Sequence, residues 1–454
     1  MSAPLRIAIM AGEPSGDRQG AALLSALRDL VYPRPVEAWG IGGHCMAEAG
    51  VDLRYNSDPW ASIGLADTLF KLPFLLAVRA EMKRAVQRDR PDALVLIDAG
   101  AFNVPIGRAA RKKGVCPVFY YFPPGSWRRG AVVRKATRKV VESADRIVTP
   151  FRWSEALLQS VGADAHFVGH PLLDLVKPVL PAAEFYERFG LDSHRPLVAL
   201  LPGSRRSEIR HILPALVSAA NEMTRRIPGI QFALALASAS QRTLVEDIIE
   251  KAHASSRLPG LMTLAGGRLA HLAHDVLTPP VPLLATAEGL TLDGRVLAPE
   301  TPEETPVRER PGPAPLVICE GLTWDVLARS DLVLTKSGTA TLEAMILKKP
   351  MVIVYRGSAL MGIEWRLRRR SLNIAHIGLP NILADERLFA ELLQDEATPE
   401  AIAALGVELL LQPGRILGLK ERLSDLVRSN LGDPGGVKRA AALLLDLIET
   451  KAQG

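Results

Sequence analysis

The chain has 454 residues, 48% hydrophobic and 23% charged, with a formal net charge of +6. That length and apolar content support two domains with full cores and exclude an intrinsically disordered chain. The modest basic excess suits phosphorylated ligands or an anionic membrane surface, and without a zinc-finger, RNP-type or heptad pattern it gives no ground for a nucleic-acid partner.

In chain order, Leu5 to Met10 reads as a first strand, and Ala21, Leu24, Leu27 and Leu30 follow at helical spacing. Between them, Ala11-Gly12-Glu13-Pro14-Ser15-Gly16-Asp17 is a strand-to-helix loop whose backbone N–H groups are open to a ligand. Gly12, Gly16 and Gly20 do not fit G-x-G-x-x-G, and no Lys-Ser/Thr pair follows to make a P-loop. Glu13, Ser15, Gly16 and Asp17 are the loop's candidate ligand-facing residues; a turn whose glycines serve geometry alone is the alternative.

From Ile63 to Met82, Leu65, Leu69, Phe70, Leu72, Phe74, Leu75 and Leu76 cluster around Lys71 and Pro73. Pro73 is expected to break or kink a helix there. The stretch is either a buried helix pair or a surface that dips into lipid headgroups through Phe70 and Phe74. A strand over 93–98 ends at Asp98, ahead of Ala99-Gly100-Ala101-Phe102-Asn103. A carboxylate at the carboxyl end of a parallel strand faces the ligand crevice, which makes Asp98 a candidate general base; a helix cap is the alternative. Strands over 117–121 and 146–149 alternate with helices over 77–88 and 154–161, implying a parallel sheet covered on both faces. His170, in Val168-Gly169-His170-Pro171, sits where the first half gives way to the second, and is a cleft residue or a structural histidine.

The pattern then restarts with strands over 197–201, 231–236, 316–319, 331–335 and 351–355, interrupted by a proline-rich insertion over 277–315. Two doubly wound Rossmann-like domains with a cleft between them are expected: 1–172, 173–410, and helices over 411–454 that can return to the first domain. A basic stretch over 360–372, with Trp365, Arg366, Arg368, Arg369 and Arg370, reads as a solvated face or a second membrane-facing segment. Two strand-to-helix loops fall at one sheet edge of the second domain. Lys336-Ser337-Gly338-Thr339-Ala340-Thr341 opens a helix through Glu343, so the helix dipole and the hydroxyls of Ser337 and Thr339 can hold a diphosphate, with Glu343 accepting from a ribose hydroxyl. The other loop, Leu201 to Glu208, carries Arg205, whose planar fork can neutralise a leaving diphosphate. A Ser/Thr N-cap and a surface arginine near Glu208 are the plainer alternatives. No His, Cys and carboxylate set has metal-ligand spacing, so no metal and no cofactor are expected.

Cys45, Cys116 and Cys319 are odd in number and far apart, which fits reduced, buried thiols. No window holds about 18 uninterrupted apolar residues, and the short N-terminal apolar run lacks the form of a secretory leader. A cytoplasmic protein, peripheral at most, is expected.

In order along the chain, 11–21, 91–103, 168–174, 200–208, 337–343 and Gly378-Leu379-Pro380-Asn381-Ile382-Leu383-Ala384 resemble the lipid-A-disaccharide synthases, inverting glycosyltransferases of the GT-B type. The resemblance covers most of the chain, and the ordered set is more specific than any one motif. It implies metal-free transfer of 2,3-diacylglucosamine from UDP-2,3-diacylglucosamine to the 6-hydroxyl of 2,3-diacylglucosamine 1-phosphate at the inner membrane surface, giving a β-1,6 disaccharide and UDP. By position it makes Asp98 the base, and Arg205, Ser337, Gly338, Thr339 and Glu343 the UDP site. Asn381 joins the donor side without a specified role. Glu13, Ser15, Gly16, Asp17 and His170 fall to the acceptor side. The chain departs from the pattern where Gly100 and Ala101 replace the last positions before the phenylalanine of aspartate-x-proline-aspartate-phenylalanine-asparagine, and again over Pro123 to Arg129. The insertion over 277–315 is also not typical of the family. An epimerase or another lipid glycosyltransferase would use a similar UDP site, and a binding protein without turnover could retain it. The sequence is compatible with a homodimer and does not specify one.

Overall fold

The computed structural model describes residues 3–57, 65–125, 133–255, 262–264, 315–357 and 376–453. Residues 277–314 of the insertion, the basic stretch over 360–372, residues 126–129 and the Phe70 side chain lie outside the described residues. Two seven-stranded, wholly parallel sheets form the frame. The first contains β1 (Leu5–Ala11), β2 (Val36–Gly42), β3 (Val51–Asn56), β4 (Ala93–Ile97), β5 (Val118–Tyr121), β6 (Arg146–Thr149) and β7 (Ala165–Phe167), in the order β3-β2-β1-β4-β5-β6-β7. The second contains β8 (Leu197–Leu201), β9 (Gln231–Leu236), β10 (Met262–Leu264), β11 (Pro315–Glu320), β12 (Leu332–Lys336), β13 (Met351–Tyr355) and β14 (Glu391–Leu393), in the order β10-β11-β9-β8-β12-β13-β14. The central strands are buried along their whole length, as a parallel sheet covered on both faces requires.

In the first domain Leu23, Leu24 and Leu27 of helix Pro14–Val31 pack on one face of the sheet, beside Ala440, Leu444 and Leu447 of the C-terminal helix Gly436–Gln453. Met82, Val86, Ile106 and Leu158 cover the other face. The preceding helix, Pro413–Leu431, belongs instead to the second domain's core through Leu419, Leu423 and Leu426. The chain therefore crosses between domains twice, near 168–176 and 431–436. At the crossing His170 N–H donates to the Leu431 carbonyl at 2.8 Å, and Arg439 Nε donates to the Val168 carbonyl at 2.8 Å. Gly169, at φ 91°, permits this approach: a Cβ there would lie 2.6 Å from the Asp433 carbonyl oxygen.

β2 and β3 escape the sequence pattern because β2 carries Gly40 and Gly42 where a strand usually shows β-branched residues. The reason is close approach: a Cβ at Gly40 would sit 1.8 Å from the Ile9 carbonyl oxygen on β1. Pro73 does not end its helix, which runs from Leu65 to Asp89. Pro73 lies on the solvent face, where water can reach the carbonyl that it leaves without a donor. Leu72, Phe74 and Leu76 are exposed beside it, while Val78, Met82 and Val86 pack on the sheet, so this is one half-exposed helix and not a buried pair. Among the described residues, no single helix is long and apolar enough to cross a membrane.

Candidate active site

Asp98 follows β4 with φ 44°, and Ala99 after it has φ 42°. Two consecutive non-glycine residues in the left-handed region cost on the order of 1–3 kcal/mol each, so the fold must hold them there. Buried Asn103 does so: its Nδ2 lies 2.9 Å from the Ile97 carbonyl, 3.1 Å from that of Asp98 and 3.3 Å from that of Met10. The Tyr120 hydroxyl also donates to the Asp98 carbonyl, at 2.7 Å. The helix Gly100–Lys112 is capped at Ala99 with no side-chain cap bond, so Asp98 is not a helix cap. Burial, and then the Glu13 carboxylate, push the Asp98 carboxyl up to about 6, against the lowering influence of the Ala99 N–H and Arg205. Neither Asn103 nor Tyr120 stands out in the sequence as a site residue, because their partners are main-chain carbonyls from separate strands.

The opening loop sits against this strained turn. A Cβ at Gly12 would lie 2.9 Å from Ala99 Cβ, and one at Gly16 would lie 3.3 Å from Ile97 Cγ2. Gly16 thus seats its helix on the end of β4 and does not face the cleft. Ser15 is half-buried in the first turn of that helix. Asp17 is a correction. It is 2% exposed, and its carboxylate accepts from the N–H groups of Gly43 at 2.7 Å, Cys45 at 2.9 Å and Met46 at 3.0 Å. An anion at a helix N-terminus is stabilised by those donors and the dipole, so Asp17 anchors the helix His44–Glu48.

Across the cleft, β8 and β12 are neighbours, so their two loops stand side by side. Arg205 begins helix Arg206–Thr224, and Lys336 ends β12. Glu208 ties the two loops: its Oε1 lies 3.0 Å from Lys336 Nζ, and its Oε2 accepts from Ser204 N–H at 3.1 Å. Gly338, at φ 152°, leaves room for that ammonium, since a Cβ there would meet Lys336 Nζ at 2.7 Å. Lys336 and Glu208 are visible in the motifs but gain a role only once the two loops meet. Thr339 starts the helix Thr339–Ile346 half-buried. Ser337 is already engaged: its hydroxyl donates to the Ile377 carbonyl at 2.7 Å and its N–H to that of Val354 at 3.0 Å. Its role in holding the loop over 377–381 leaves it no free donor for a diphosphate.

Two ion pairs of opposite sense bridge the domains. Glu13 Oε1 lies 2.9 Å from Arg205 Nη2, and Arg18 Nη2 lies 3.5 Å from Glu343 Oε1. Glu343 is 3% exposed, and among the described residues its Oε1, beyond the 3.5 Å ion pair with Arg18, has no hydrogen-bond partner; a buried acceptor in that state favours an incoming hydroxyl donor. Arg18 also lies over the Trp324 ring, 5.5 Å from its centre.

Two further expectations move out of the cleft. Asn381 is fully buried, donating to the Phe389 carbonyl and to Glu391 Oε1, both at 2.8 Å, and accepting from Phe389 N–H at 2.9 Å. Its amide is spent on closing its own turn. His170 is 6% exposed, flanked by the Phe122 and Phe151 rings with centres 5.8 and 5.6 Å away, and its Nδ1 accepts from Leu172 N–H at 3.2 Å. Burial pushes its imidazole down to about 3, so it is a neutral packing group of the crossing. Phe74 is 50% exposed and makes an edge contact with Tyr55.

The family model described as lipid-A-disaccharide synthetase matches residues 7–263 and 302–432. Lipid-A-disaccharide synthases of Syntrophus aciditrophicus and Trichlorobacter lovleyi are 34% and 32% identical to this chain, each alignment covering 98% of both proteins. The UDP-GlcNAc 2-epimerase of Neisseria meningitidis, solved with UDP-GlcNAc, superposes with a TM-score of 0.57 at 11% identity, over 98% of this chain and 100% of that one. A calicheamicin glycosyltransferase does so with a TM-score of 0.53 at 13% identity, over 99% and 100%. The two facing Rossmann-like domains are thus the GT-B fold, and the chain belongs to the lipid-A-disaccharide synthase family of glycosyltransferases.

Proposed function

We propose that the chain transfers 2,3-diacylglucosamine from UDP-2,3-diacylglucosamine to 2,3-diacylglucosamine 1-phosphate, forming the β-1,6 disaccharide 1-phosphate and UDP. The observation that carries this reading is the placement of Asp98 on one strand edge and Arg205, Lys336 and Glu343 on the facing one, close enough for Glu13 and Arg205 to pair. Asp98 takes the proton of the acceptor 6-hydroxyl as its oxygen attacks the anomeric carbon, and the bond to the diphosphate breaks with its electron pair leaving on UDP. Attack from the face opposite the leaving group inverts the anomeric centre. Arg205, Lys336 and the N-terminus of helix Thr339–Ile346 meet the developing diphosphate charge, and Glu343 accepts from the ribose. Most of the rate gain then comes from positioning and electrostatics, and the two cations take the place of a metal ion.

Ser15 and Glu13 face the acceptor side in this reading. Leu72, Phe74 and Leu76, which are 46%, 50% and 42% exposed, enter the lipid surface, with the cations Arg79 and Lys83 behind them on the same helix. The protein then works as a peripheral protein of the inner membrane's cytoplasmic face.

Mass spectrometry of products from the purified protein and the two lipids tests the reaction: disaccharide 1-phosphate and UDP are expected, with turnover unchanged by EDTA. Absence of disaccharide overturns the reading, and an isomer of the donor at unchanged mass would favour an epimerase. Phe74→Glu is expected to reduce co-sedimentation with anionic vesicles; equal sedimentation removes the membrane contact.

A further inference from the structure

Glu13 stands between the two halves of the chemistry. Its carboxylate is 2.9 Å from the Arg205 guanidinium, and it is the residue just ahead of helix Pro14–Val31, on the loop that packs against the Asp98–Ala99 turn. The pair is accessible, with side-chain exposures of 37% for Arg205 and 40% for Glu13, so another anion can compete for the same guanidinium. Arg18, on the same helix, makes the mirror contact to Glu343. Arg205 and Glu343, two of the second-domain residues assigned above to the nucleotide, are therefore already paired with the first domain's opening segment.

We infer that Glu13 is a positioning residue that couples donor binding to Asp98: the donor diphosphate takes Arg205 from Glu13, and the released carboxylate then acts on the base. This rests on the donor site proposed above. With Arg205 neutralised by diphosphate, the cation that opposes proton uptake by Asp98 is offset, and Glu13 remains to favour it. Among the described residues, the charged and titratable groups around this turn are Glu13 on the opening loop, Arg205 across the cleft, Tyr120 on β5, which donates to the Asp98 carbonyl, and Arg79, which donates to the Ala101 carbonyl at 3.1 Å. Tyr120 and Arg79 bond to the main chain, and the charges that shift the Asp98 carboxyl are those of Glu13 and Arg205. A stronger base is thereby present when the donor is in place, and a weaker one when it is not.

Glu13→Gln separates this from a structural role, because it has opposite effects on binding and on chemistry. Calorimetry with UDP is expected to show binding about two- to five-fold tighter than in the wild type, since a competing exposed ion pair of ordinary strength has been removed. The acid limb of the kcat–pH profile at saturating donor is expected to move to lower pH, with a lower plateau. Glu13→Asp, which keeps the charge, should hold the limb close to the wild-type position. An unchanged limb in Glu13→Gln, or UDP affinity that stays the same or weakens, overturns the coupling while wild-type turnover leaves the donor reading intact. A wild-type protein that binds no UDP brings down both.

Discussion

The two strand edges that face each other are built on different principles. At the end of β4 one carboxylate is fixed by placing Asp98 and Ala99 in the left-handed region and tying their carbonyls with Asn103 and Tyr120. At the ends of β8 and β12 the demanding backbone conformations fall on Gly203 and Gly338, and the site is assembled from charges: Arg205, Glu208 and Lys336. In the proposed reaction a base acting on one hydroxyl needs an exact pose, which backbone constraint supplies. A diphosphate carries its charge over several oxygens, so a cluster of cations at a helix start holds it with less stringent geometry.

The largest effect that would break this contrast is at Asp98. Asp98→Asn is expected to lower kcat by about 10²- to 10⁴-fold, the usual range for a general base, with UDP affinity little changed; calorimetry beside steady-state kinetics checks both. In the wild type, kcat/KM for the donor should fall below pH about 6 as Asp98 of the free enzyme takes up its proton. The stability effect has the opposite sign. A carboxyl whose folded value lies above its unfolded one stabilises the fold below about pH 4 and loses that contribution as pH rises through 6. Asp98→Asn should therefore gain stability at pH 7 to 8 while losing activity, and denaturant unfolding that shows no gain would remove the buried-charge account.

Next comes Arg205→Gln. Loss of charge-assisted bonds of about 1.5–3 kcal/mol predicts a rise of roughly 10- to 100-fold in KM for the UDP-sugar, with kcat reduced less. A kcat defect at unchanged KM would place Arg205 outside donor binding. Asp17→Ala should cost about 1–2 kcal/mol of stability through the lost helix anchor and leave KM for both substrates near wild type; a specific KM effect would return Asp17 to the cleft. The smallest change sharpens the strain argument. Ala99→Gly is expected to stabilise the protein by about 1 kcal/mol, because glycine accepts φ near 42° without the Cβ penalty. Unchanged or lower stability in urea unfolding would show that the turn is not strained.

The alternation of apolar strands with helical spacing was enough to predict two parallel sheets, and the strand-end rule was enough to put Asp98, Arg205 and the loop over 336–339 just after the carboxyl ends of parallel strands. These are local properties: period, chain punctuation and the direction of a parallel strand. The same reasoning could not sort the polar residues within a motif. Asp17 lies four residues from Glu13, yet one anchors the next helix and the other crosses to Arg205. Asn381 and Ser337 look like ligand residues in sequence, but their donors are satisfied by carbonyls and a carboxylate that only folding brings near.

The sequence by itself determined the fold class, the family and the strand ends at which chemistry can sit, because periodicity and ordered motifs are written along the chain. Only the tertiary structure decided which side chains remain available to a ligand. That depends on partners remote in sequence: Asn103 reaching the ends of β1 and β4, Glu208 joining Lys336, and Glu13 and Arg18 pairing across the cleft. A hydrogen-bonding group has a limited number of bonds to give, and the fold settles which of them are already spent.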